Sequence, residues 1–119
     1  MPAAVDLRVL VVDDQAAFRR AATLLVRTAA GLTLVGEAAS GEEAVELSRS
    51  LGPDLVLMDV RLPGINGPEA TRRILAERPG TRIILMSTYE PGDLPADLDQ
   101  CGAERFLRKQ DIDAAELLA

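Results

Sequence analysis

The stretch Leu55–Gly67, LVLMDVRLPGING, decides the fold. Its first four residues are apolar without interruption, the mark of a short strand covered on both faces. A carboxylate, Asp59, closes the run. Pro63-Gly64 and Asn66-Gly67 then announce a loop that needs unusual backbone angles, and Pro68 suits the first position of a helix. This is a strand–loop–helix unit with a charge at the strand's carboxyl end. Similar units recur along the chain, with strands expected near Leu7–Val12, Leu32–Glu37, Leu55–Met58, Arg82–Met86 and Arg105–Leu107. Alternation of such runs with helical periods predicts an α/β fold, a doubly wound five-stranded parallel sheet of order 2-1-3-4-5.

The helices between the strands carry their own signals. Phe18, Ala22, Leu25 and Ala29 repeat at helical spacing and place an apolar face on a first helix from about Ala16 to Ala29. Ser40, with Glu43 three residues on, forms a capping box for a second helix reaching about Ser50. A third starts at Pro68 and stops before Pro79-Gly80. Pro91, Gly92 and Pro95 confine a fourth to about Pro95–Gln100. The fifth, capped at Asp113, is truncated at Ala119, which implies that residues 1–119 are the N-terminal part of a longer protein.

Composition narrows the chemistry. A chain of 119 residues fits one domain with a real core. Aromatics are only 3% of it, so stacking on bases is not its trade, and a net charge of −6 disfavours nucleic acid or an anionic membrane surface as a direct partner. The lone Cys101 and the lack of a long apolar stretch predict a reduced, cytoplasmic protein with no membrane span. With no histidine in the sequence, imidazole bases and histidine metal sites are excluded. Carboxylates, hydroxyls and lysine remain.

Those groups sit at strand ends in a regular way: Asp13 and Asp14 after the first strand, Asp59 after the third, Ser87 and Thr88 after the fourth, Lys109 after the fifth. In a doubly wound sheet these ends form one edge, where ligands bind at the switch of strand order. Each like-charge pair among three carboxylates at ~4 Å would cost about 4 kcal/mol at an effective dielectric of ~20, so the group calls for a cation. An oxygen-only set fits a hard ion that keeps water and accepts phosphate oxygens, namely Mg²⁺. Singly, each residue has a plainer role. An Asp after a strand is often a turn or helix cap, a hydroxyl there often bonds backbone, and a lysine is usually a solvated charge. Phe106 alone would be a core residue. Their joint placement at one edge outweighs these roles.

With these residues in view, the chain resembles the bacterial response-regulator receiver domain, of the flavodoxin-like fold, over essentially its whole length. VLVVDDQAAFRRA is similar to that family's acidic pair and first helix, DLVLMDVRLPGINGPEA to its phosphorylation segment, RIILMST to its hydroxyl strand and CGAERFLRK to its switch aromatic and lysine. The resemblance implies that Asp59 is the phosphoacceptor, and that Asp14, Asp59 and the backbone carbonyl of Arg61 are Mg²⁺ ligands, with Asp13 acting through water. It further implies that Lys109, Ser87 and Thr88 receive the phosphoryl oxygens, and that Phe106 changes rotamer as Ser87 moves. The implied partners are a sensor histidine kinase as donor and a second copy in a phosphorylation-dependent homodimer. MDVRLPG and MSTYE are most similar to the NarL/FixJ branch, whose members add a LuxR-type DNA-binding domain. The chain departs from the pattern in the Pro/Gly residues before its fourth helix. It departs again in Gln110, where many members have Pro after a bond that the resemblance implies to be cis.

Two rival functions are open to the same residues. An Mg²⁺-dependent phosphohydrolase with an aspartyl nucleophile would place its two carboxylates as Asp-x-Asp after the first strand, whereas Asp13 and Asp14 are adjacent. A receiver-like interaction module that accepts no phosphate would have no need of the complete set.

Overall fold

The computed structural model describes residues 6–88 and 100–119. Five strands, β1 (Leu7–Val12), β2 (Leu32–Ala38), β3 (Leu55–Asp59), β4 (Arg82–Ser87) and β5 (Arg105–Arg108), form one parallel sheet of order β2-β1-β3-β4-β5, as expected. Four described helices connect or follow them: α1 (Ala16–Thr28), α2 (Gly41–Leu51), α3 (Gly67–Glu77) and α4 (Ala114–Leu118). The expected helix at Pro95–Gln100 falls outside the described residues save for its last one.

Alternation along the central strands makes two cores. Leu10, Val12, Val56, Met58, Ile83 and Leu85 face α2 and α3, where Ala44, Ala70 and Ile74 meet them. Val9, Val11, Leu55, Leu57, Ile84 and Met86 face the opposite way, against Ala22 and Val26 of α1 and Leu117 of α4. Both faces of the central strands are therefore sealed, which explains runs without polar residues. Burial of each such side chain contributes about 1.5–3 kcal/mol.

Helix starts are built locally. Ser40 accepts a hydrogen bond from the Glu43 N–H at 3.1 Å, while Glu43 reaches back to the Ala39 N–H at 2.6 Å, one residue beyond the expected partner. Asn66 caps α3 through the Glu69 N–H at 2.9 Å, so this helix begins at Gly67, one residue before Pro68. Asp113 caps α4 in the same way through the Glu116 N–H at 2.8 Å. α4 is held to β5 by Arg105, whose guanidinium meets both the Glu116 carboxylate and its backbone carbonyl.

Register fixes which strand ends meet. Val12 pairs with Met58, Asp59 with Met86, and Ser87 with Arg108. The residues at these positions or next along, Asp13, Asp59, Ser87 and Lys109, thus emerge at one level of one edge. Strands β3, β4 and β5 each run one residue past the expected end, so Asp59 and Ser87 are the last residues of their strands. The Lys109–Gln110 bond is not cis, since no described peptide bond is; Lys109–Asp111 instead turn as a short 3₁₀ segment.

Gly67 shows how tightly the edge is assembled. Its N–H donates to the Val60 carbonyl at 2.8 Å, and a Cβ there would stand on the Asp59 carbonyl oxygen and 2.9 Å from Val60 Cα. Gly80 has nothing within 4 Å of such a Cβ. Gly67→Ala is expected to cost about 1–3 kcal/mol by overpacking backbone against backbone. Gly80→Ala should stay within about 0.5 kcal/mol. Denaturant unfolding of the two variants checks this, and equal losses would refute the close approach.

Candidate functional site

The β1–α1 turn delivers the acidic pair. Asp13 is fully buried, its N–H donating to the Ala38 carbonyl at 3.0 Å and its Oδ1 accepting the Gln15 N–H at 2.8 Å. Arg19, one turn into α1, donates to the Asp13 carbonyl at 2.6 Å and pairs with Glu37 at 3.1 Å, which ties the turn to β2. Asp14, next in the turn, is exposed. Asp59, at the end of β3, is 6% exposed, and its Oδ1 accepts the Arg61 N–H at 3.4 Å. One carboxylate oxygen from each of Asp13, Asp14 and Asp59 lies within 4.8 Å of the others. This is the shared pocket expected from strand order.

Lys109 enters the pocket from the 3₁₀ turn that follows β5. Its Nζ stands 2.6 Å from Asp13 Oδ2 and 3.3 Å from Asp59 Oδ2, with only 6% of the side chain exposed. Both contacts are ion pairs, and the one to Asp59 is also a hydrogen bond. One ammonium faces two buried carboxylates and an exposed third. The imbalance appears in Asp59, whose carboxyl is pushed up to about 6 by burial and by the neighbouring Asp13 charge, against the opposing pull of Lys109 and the Arg61 N–H.

The donor set and its excess of negative charge fit a divalent cation. All the offered atoms are oxygens, at a spacing one ion can bridge, and the three carboxylates outnumber the single ammonium among them. The cluster can therefore hold a metal.

The other expected residues lie close by in the fold. Ser87 is buried at the end of β4 and Thr88, next in sequence, is exposed. Arg61 is exposed in the loop after β3. Phe106, half-buried on β5, packs against the core on the α2/α3 side, on the strand that leads into Lys109. Two residues at the start of α1, neither of them among the expected site residues, also border the pocket. Gln15, which precedes the helix and makes no cap with its side chain, turns its Oε1 to 3.4 Å from Lys109 Nζ, and the ammonium lies 4.4 Å from the centre of the Phe18 ring. Periodicity assigned Phe18 to the apolar face, where it does also pack. The missed signal is spacing: residues three apart at a helix start share a face, and the start of α1 adjoins the acidic pair.

The β3–α3 loop is fastened from the side. Glu42, in the first turn of α2, accepts the Ile65 N–H at 3.1 Å, and Gly64 takes φ +74, as the Pro63-Gly64 signal requires. Among the described residues no helix is long and apolar enough to cross a membrane.

The family model described as response regulator receiver domain matches residues 9–119. Response regulator GacA of Pseudomonas viridiflava is 43% identical over 103 residues, covering 87% of this chain and 48% of the relative. Response regulator UvrY of Escherichia coli (strain K12) is 39% identical over 103 residues, covering 87% of this chain and 47% of the relative. The chain thus spans about half the length of the curated relatives it matches. The signal receiver domain of the response regulator NarL from Mycobacterium tuberculosis superposes with a TM-score of 0.85 at 30% identity, covering 92% of this chain and 88% of that one. A two-component response regulator of the LuxR family from Aurantimonas sp. does so with a TM-score of 0.83 at 34% identity, over 95% and 80% of the two chains.

Because the Asp59 carboxyl is raised above the ordinary carboxylate value near 3.9, the folded state binds its proton more tightly than the unfolded chain. Its ionisation therefore opposes folding increasingly from about pH 4 to above pH 6. In metal-free buffer, Asp59→Asn is expected to leave Tm little changed near pH 4 and to raise it by several degrees above pH 7. Thermal melts across that range check the sign; a gain independent of pH would contradict the charge account.

Proposed function

The chain belongs to the response-regulator receiver domain family, and on that premise we propose that it is a phosphoacceptor switch in which Asp59 takes a phosphoryl group. The observation that carries this reading is the approach of Lys109 Nζ to 3.3 Å from Asp59 Oδ2, within a cluster of three carboxylates. A lone acidic cluster would suit any cation. A buried ammonium that reaches both Asp13 and Asp59 suits a further anionic group added at Asp59.

Mg²⁺ is the proposed ion, held by Asp14, Asp59 and the Arg61 carbonyl with Asp13 acting through water; when bound, it would neutralise charge on the transferring phosphoryl group. Asp59 is the nucleophile. An oxygen of its carboxylate forms the new P–O bond as the bond from phosphorus to the donor breaks, and the donor departs with that electron pair. The reaction needs the carboxylate form, which Lys109 favours. Positioning and electrostatics are the chain's contribution, and no side chain need act as acid or base. The proposed donor is a phosphohistidine of a sensor kinase.

The product carries a new dianionic group at the β3 end, next to Ser87, Thr88 and Lys109. Ser87 and the Thr88 backbone are the proposed hydrogen-bond donors to it, Lys109 its ion partner, and Phe106 the aromatic that repacks as Ser87 shifts. Turning a 1:99 population into 99:1 takes about 5.5 kcal/mol. Two or three charge-assisted hydrogen bonds at about 1.5–3 kcal/mol each supply that. The proposed output is control of transcription through a DNA-binding domain lying outside residues 1–119, and the proposed setting is the cytoplasm, where the buried Cys101 stays a thiol. Half-length coverage of the regulators above and the LuxR-family neighbour support the first part.

Incubation with acetyl phosphate and Mg²⁺ is expected to add a single phosphoryl group, seen by intact-mass spectrometry. Asp59→Asn should remove the gain, and Lys109→Ala should slow uptake by about 10²- to 10³-fold, the usual loss when one charge-stabilising donor is deleted. Undiminished labelling of Asp59→Asn would place the nucleophile elsewhere.

A further inference from the structure

The surroundings of the Lys109 ammonium contain two groups that the phosphoacceptor reading does not use. Its side chain is nearly removed from water, and the groups around Nζ are Asp13 Oδ2 at 2.6 Å, Asp59 Oδ2 at 3.3 Å, Gln15 Oε1 at 3.4 Å and the face of Phe18 at 4.4 Å. The first two are carboxylates whose charge any bound cation or phosphoryl group would share. The last two are neutral, and both come from the start of α1. Gln15 is freed for this contact because its side chain does not cap the helix. Phe18 is fixed because it is half-buried, with its ring packed against the core of Val9, Val11, Ala22 and Val26. It is one of two phenylalanines in the whole chain.

We propose that Phe18, assisted by Gln15, is a positioning residue for Lys109, holding the ammonium beside Asp59 when the carboxylates' charge is claimed by other partners. The electrostatic reason is specific. An aromatic face attracts a cation through its quadrupole, without a proton and without a formal charge that a metal or phosphate could take over. As the carboxylates' pull on Lys109 weakens, the ring's pull does not. An aliphatic side chain of similar size would fill the space and leave the ammonium held by carboxylates alone. The amide of Gln15 adds a second neutral partner, weaker because 3.4 Å is at the long end for a hydrogen bond.

This rests on the phosphoacceptor reading, and the two can fail separately. Phe18→Leu and Phe18→Tyr are compared for the rate of phosphoryl uptake from acetyl phosphate with Mg²⁺, alongside Asp59→Asn. Phe18→Leu is expected to slow uptake by about three- to thirty-fold, the span that a cation–π contact corresponds to in rate. Phe18→Tyr, which keeps the ring, should recover most of it. A second readout needs no metal or donor. In metal-free buffer the Tm shifts of Phe18→Leu and Lys109→Gln, measured singly and together, should be non-additive, since the two side chains touch. Equal slowing by Phe18→Leu and Phe18→Tyr, no slowing by Phe18→Leu, or additive Tm shifts would each overturn the proposal and leave Phe18 a packing residue. Labelling that survives Asp59→Asn would instead overturn the phosphoacceptor reading, whatever the Phe18 variants do.

Discussion

Three carboxylates and one ammonium, gathered from the ends of three parallel strands, are the constraint on which the rest of this structure depends. Asp13 and Asp59 are buried, and neither could stay there charged without Lys109 between them. The ammonium does not satisfy both completely. The Asp59 carboxyl still sits near 6, because burial and Asp13 outweigh Lys109. A pocket left short of positive charge is destabilised until something cationic completes it, and that shortage is what makes the site responsive.

The scaffold's task is to hold this unfavourable arrangement. It does so with strands whose register brings residues far apart in sequence to one level, and with apolar runs sealed on both faces by helices. Close backbone approach at Gly67, the Arg19 grip on the Asp13 carbonyl and the Glu42 tie to the β3–α3 loop keep the edge from relaxing apart. Function and packing meet at these points, because a loop free to move would let the carboxylates separate and discharge the strain.

Much of this is legible in the sequence, for physical reasons. Uninterrupted apolar runs ending in Asp13, Asp59 and Ser87 read as buried strands with polar carboxyl ends, and a doubly wound order then brings those ends together. The capping signals at Ser40 and Asp113 depend on contacts three residues away, so they too are local and readable. Strand and helix ends slip by one residue because the last ladder bond depends on the neighbouring strand, as at Asp59 and Ser87. The 3₁₀ turn at Lys109–Asp111 carries no periodic signal. The contacts of Gln15 and Phe18 with Lys109 span more than ninety positions in sequence. Periodicity marks Phe18 as apolar, and only the fold reveals that its ring also faces a cation.

The central claim is that Asp59 itself carries the phosphoryl group, in a pocket formed by its own neighbours. Reduction of the phosphorylated protein with borohydride converts an aspartyl phosphate to homoserine and leaves free carboxylates untouched, so peptide mapping of the reduced protein by mass spectrometry reads the acceptor directly. The account predicts homoserine at position 59 and nowhere else; homoserine at position 13, 14 or another aspartate, with position 59 unchanged, would contradict it.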